Sequence, residues 1–157
     1  MSVVTWTPRK SRLSQLVDSP GGVSVGAALA AAREHLAALE PRSLEIVADH
    51  VAKLKALAPP AAEIEIASRL EAAYQAASGV IDAAGPFERR DLCAAATSLC
   101  DVIDATPSDT TIDWRIIRVH ARALELMLIL PSDAVVEREK VLNGLAEVRA
   151  RKVQSGG

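Results

Sequence analysis

The run Asp49-His50-Val51-Ala52-Lys53-Leu54-Lys55 sets an imidazole and an ammonium three positions apart. On a helix that spacing puts both on one face. An accessible imidazole nitrogen can accept a phosphoryl group, and a lysine one turn later supplies the positive charge that phosphate oxygens seek. His50 is therefore the candidate phosphoacceptor, with Lys53 as its electrostatic helper. The residue after the lysine is Leu54, where a small side chain would give a donor room, and Lys55, Leu57 and Pro59 open no gap. The spacing suits phosphotransfer, but these neighbours predict the polar edge of a packed helix.

The other reactive side chains are more isolated. His120 lies among Ile116, Ile117, Ala123 and Leu124 and reads as a buried, internally satisfied histidine. His35, beside Arg33 and Glu34, reads as a surface-edge residue. No set of histidines and cysteines has ligand spacing of the CxxC or HExxH kind, so no metal and no cofactor is expected. Cys93 and Cys100 sit in "DLCAAATSLC" among alanine and leucine, without the base or cation that would activate a thiol. Seven residues of helix separate their α-carbons by roughly 10 Å, beyond the reach of about 7 Å for a disulfide. Both are predicted to be free and packed as small hydrophobes. Arg115, Arg118 and Arg122 form a basic row that can meet an acidic partner, with Glu125 close enough in sequence to neutralise part of it. There is no glycine-rich phosphate loop, no nucleophile elbow and no paired carboxylate, so no catalytic residue is assigned and the chain is not expected to be an enzyme.

Helices must position these groups. Half of the 157 residues are hydrophobic but only 3% are aromatic, with alanine and leucine dominant, a balance that favours helix because alanine loses no side-chain entropy there. Ser24 is the expected N-cap of a first helix from Val25 to Leu39, with Leu29, Ala32, Leu36 and Leu39 as one buried stripe. Pro41 is expected to start a second, to Leu57, with Leu44, Val47, Val51 and Leu54 inward. A third is expected from Ala61 to Ala84 through Ile64, Leu70, Tyr74 and Ile81, bent or interrupted at Gly79. A fourth spans Pro86 to Ala105 with Leu92, Ala96, Leu99 and Ile103 inward. After the loop at 106–110 comes a strongly apolar helix, Thr111 to Leu130. The last, Asp133 to Lys152, turns Val141, Leu142, Leu145 and Val148 inward. No period-two run suggests a sheet. The expected fold is all-α, an up-and-down bundle of about five helices over residues 24–153, preceded by a flexible N-terminal arm at 1–23.

The net charge of −2 creates no global field for nucleic acid or an anionic membrane, and no apolar run approaches the ~18 residues of a membrane span. With unpaired cysteines and no secretory pattern at the start, a cytoplasmic location is expected. The arm differs from the rest. Arg9, Lys10 and Arg12 outnumber Asp18 there, Trp6 is its one large aromatic, and Leu13, Leu16 and Val17 fit a short helix that docks on its own bundle. Trp6, Arg9, Lys10 and Arg12 are left as the arm's candidates for an outside contact, beside the row Arg115, Arg118 and Arg122.

Four stretches, "SPGGVSVGAAL" (19–29), "DLCAAATSLCDVID" (91–104), "DWRIIRVHARAL" (113–124) and "VLNGLAEVRARK" (141–152), resemble the CheE-type chemotaxis accessory proteins of α-proteobacteria. The resemblance spans most of the chain but consists of helix-core residues and carries no catalytic signature. It implies a cytoplasmic signalling accessory that contacts a response regulator or another receptor-array component. His120 falls inside one of these stretches and His50 outside all of them. A homo-oligomer with a structural role is a further possibility, and a phosphotransfer module using His50 with Lys53 is the alternative to an adaptor.

Overall fold

The computed structural model describes residues 21, 23–106 and 112–155. Trp6, Arg9, Lys10 and Arg12 lie outside the described residues, as does most of the 106–110 loop. The described chain is five α-helices with no strand: α1 Val25–Ala56, α2 Ile66–Ala84, α3 Arg90–Asp104, α4 Trp114–Ile129 and α5 Val135–Ser155. Short 3-10 turns at Glu63–Glu65 and Gly85–Phe87 precede α2 and α3. The chain divides between Leu39 and Glu40 into two units.

Ser24 caps α1 as expected, its Oγ accepting from the Ala27 N–H at 3.2 Å. Pro41 does not start a second helix. It lies inside α1, where it removes the donor for the Ala37 carbonyl at a cost of about 3 kcal/mol. The alanine-rich turns before it and Leu44, Val47, Val51 and Leu54 after it carry the helix through. Before the proline, the expected buried stripe is open: Leu29 is 53% exposed, Leu36 41% and Leu39 58%. The periodicity was the right signal for a helix but not for burial.

In the unit from Glu40 onward, helical periodicity does report burial. Val47, Val51 and Leu54 of α1 are in the core with Leu92, Ala96 and Leu99 of α3, Ile117, Leu124 and Met127 of α4, and Leu145 of α5. The core face of α2 is Ala73, Ala76, Ala77, Val80 and Ala84. So small a face lets neighbouring backbone and side chains approach closely, and buried Ser43 on α1 donates across the gap to the Ala83 carbonyl. Helix α3 packs on α2, α4 and α5, and α4 also packs on α5. Ile64 is not part of a buried stripe; it sits in a 3-10 turn and is 90% exposed. Gly79 does not interrupt α2, which runs through it.

One arginine closes the end of the core. Arg138, with its side chain 11% exposed, pairs with Asp91 at the start of α3. It also donates to the carbonyls of Met127 and Leu130, acceptors at the end of α4, and to that of Pro131, which takes the Ala134 N–H as well.

Candidate functional site

His50 and Lys53 line one groove of about 390 Å³ with Ala56 and Leu57 of the α1 end and Ala72, Gln75 and Ala76 of α2. The lysine is exposed and the histidine half-buried. The residue expected to close the approach does not do so, because Leu54 is only 2% exposed and points into the core with Val47 and Val51. Lys55, which follows it, pairs with Glu125 of α4. The His50 ring is instead held from the other side. A Cβ on Gly79 would lie 2.3 Å from its Cε1, 2.5 Å from Nε2 and 2.6 Å from Nδ1, so the nitrogen-bearing edge occupies the space that the glycine leaves. Nδ1 is buried with no hydrogen-bond partner. Phosphoryl transfer at this ring requires it to swing off Gly79.

His120 is fully buried, as expected. Its Nδ1 is 2.8 Å from the Ile116 carbonyl oxygen, which can only accept, so Nδ1 carries the proton. Nε2 is then the acceptor for the Ser98 hydroxyl at 3.1 Å. Burial lowers its pKa below the ordinary histidine value. This imidazole is neutral, satisfied and closed to substrate. His35 is exposed on α1. Both cysteines are free, and burial raises both thiols above their usual range. Among the described residues no three of His, Cys, Asp and Glu gather as metal ligands, and no helix is long and apolar enough to cross a membrane.

A larger cleft of about 490 Å³ is lined by Pro41, Leu44, Leu92 and Met127 together with Arg89 and Arg138. Its two cations are already engaged, Arg89 with Glu40 at 2.7 Å and Arg138 with Asp91, so the cleft offers no free charge to a ligand.

The basic row on α4 is the second place where the structure gathers what the sequence singled out. Arg115, Arg118 and Arg122 are exposed and border a shallow depression of about 140 Å³ with Val119. Glu125, the expected neutralising neighbour, is committed to Lys55 instead. None of the three guanidiniums makes an ion pair or hydrogen bond with a described residue. Asp113 caps the helix through the Arg115 backbone N–H at 2.9 Å. Like charges three and four positions apart cost a helix about 0.2–0.5 kcal/mol per pair, and cations near its N-terminus oppose the macrodipole. Val119, Leu126 and Ile129, which are 42%, 44% and 74% exposed, continue the same outer face.

Sequence reasoning missed Gln75 and Gly79 as walls around His50, and Arg138 as the clasp on α4. Only Gly79 carried a signal, since a glycine inside a helical pattern costs about 1 kcal/mol relative to alanine and so asks for a packing reason. No protein-family model, curated protein or solved structure matches the chain.

Proposed function

We propose that the protein is a non-enzymatic helical interaction protein, an adaptor in a bacterial chemotaxis-like signalling pathway that docks a response regulator or another signalling protein in the cytoplasm. The observation that carries this reading is the open stripe on α1: Val25, Leu29, Ala32, Leu36 and Leu39 follow one another at four- and three-residue steps, and all are exposed. Such a stripe is what a helix presents to a groove or to another helix. The pathway is suggested by the likeness of the four sequence stretches to chemotaxis accessory proteins. The test is binding of purified receiver domains to the intact chain and to Leu36→Glu. Loss of binding in the variant supports the adaptor. If the variant turns a dimer into a monomer and leaves receiver binding intact, the stripe serves self-association instead.

A second reading, phosphotransfer at His50, gains from one observation: Leu54 is in the core, so the groove shared by His50 and Lys53 is open. Incubation with an aspartyl-phosphorylated response regulator then deposits acid-labile phosphate on the chain, and His50→Gln abolishes it. Label that survives in His50→Gln, or no label on the intact protein, removes this reading.

A further inference from the structure

The outer face of α4 combines three features that nothing within the described chain accounts for. It holds three exposed arginines with no carboxylate partner among the described residues, Glu125 being drawn to Lys55 on α1. Those arginines repel one another at helical spacing, and Arg115 in the first turn also opposes the helix dipole, an arrangement unfavourable until anions arrive. The same face then becomes apolar, with Val119 between the arginines and Leu126 and Ile129 beyond them, all open to solvent. Local rules broken together, without compensation among the described residues, are expected where a partner supplies what is missing.

We infer that this face docks an acidic amphipathic segment of another protein, its carboxylates on Arg115, Arg118 and Arg122 and its apolar side chains on Val119, Leu126 and Ile129. Charge complementarity selects the sign of the partner, and the interleaved hydrophobics select a peptide over nucleic acid. A phosphate backbone would leave the exposed Leu126 and Ile129 unused. The inference builds on the interaction-protein reading but uses a different helix from the stripe that carries it.

The experiment is fluorescence anisotropy with the full chain and a labelled 18-residue helical peptide that carries glutamates along one edge and leucines beside them. A second peptide has glutamine at every glutamate. The glutamate peptide binds and weakens with added salt, while the glutamine peptide binds much less. The triple variant R115Q/R118Q/R122Q loses about tenfold in affinity. Leu126→Ser loses several-fold, and duplex DNA does not displace the peptide. All four changed positions are exposed, so the variants fold, and circular dichroism verifies it. Equal binding of both peptides, full binding by the triple variant, or displacement by DNA at comparable concentration overturns the proposal. If both peptides bind equally while Leu36→Glu abolishes receiver-domain capture, the α4 inference fails and the adaptor reading stands. If the glutamate peptide binds as described but no receiver domain is captured, the reverse holds.

Discussion

The imidazole of His50 fills the space that a Cβ would take on Gly79, with Cε1 only 2.3 Å from that position. Two costs therefore meet at one point of the α1–α2 groove. Glycine inside a helix gives up about 1 kcal/mol relative to alanine, and a buried ring nitrogen without a partner costs about 1–3 kcal/mol. Each is sustained by the other, since the ring cannot sit there if position 79 has a side chain.

The pair is thus energetically coupled. In a His50→Ala background, Gly79→Ala raises stability by about 1 kcal/mol, the helix-propensity gain alone. In the wild type the same change forces the ring out and gives little or no gain. A double-mutant cycle by urea unfolding should return a coupling energy of about 1 kcal/mol or more. Strict additivity of the two substitutions contradicts the packing described.

His120 makes stability pH-dependent in a known direction. Burial holds its folded pKa below the ordinary value of about 6.5, so between the two values the unfolded chain binds a proton that the folded chain refuses. Its contribution is complete above about pH 6.5 and is lost as pH falls toward the folded value. Unfolding midpoints should drop between pH 7 and pH 5, and His120→Gln should show a shallower slope over that interval. An unchanged slope in the variant assigns the loss to other groups.

Arg138 serves one carboxylate and three carbonyls at once. Arg138→Ala leaves Asp91 and the end of α4 without their donors and should destabilise by about 2–4 kcal/mol. Arg138→Lys recovers only a minor part, because a single ammonium cannot reproduce the planar fork. Chemical denaturation of the three proteins decides this, and full rescue by lysine shows that charge alone was responsible.

The thiols give a simple check on the interior. Burial raises Cys93 and Cys100, and for Cys100 the nearby Asp104 and Asp101 raise it further. Both then hold little thiolate at pH 8. Ellman's reagent should titrate two thiols quickly in urea, whereas in the native protein Cys100 should react at least tenfold more slowly than unfolded cysteine. Fast reaction of both native thiols places them nearer the surface than described.

Burial along α3, α4 and the second half of α1 was legible because each helix keeps one exposed face, so its apolar period maps directly onto the core. Leu92, Leu99, Val51 and Leu54 are buried as their spacing predicts. Leu29, Leu36 and Leu39 have the same spacing and are open, since periodicity shows which face is apolar but not whether anything covers it. Pro41 misled for a related reason: its cost is local, and good helix-forming residues on both sides outweigh it. The partners of charged side chains were the least readable part. Lys55 with Glu125 and Arg138 with Asp91 are 70 and 47 positions apart, and only the packed helices bring them together. That is also why the arginine row looked half-neutralised in the sequence and has no ion-pair partner among the described residues.

The proline in α1 has a temporal consequence. The Ala37 carbonyl lacks the amide that would continue the hydrogen-bond ladder, so opening that starts at Val25 can stop there without spreading into the turns that hold Val47, Val51 and Leu54. Amide protons ahead of position 41 should exchange with deuterium well before those behind it. Although the ladder is drawn as one helix, α1 has two lifetimes, and the shorter belongs to the turns that bear the open leucines.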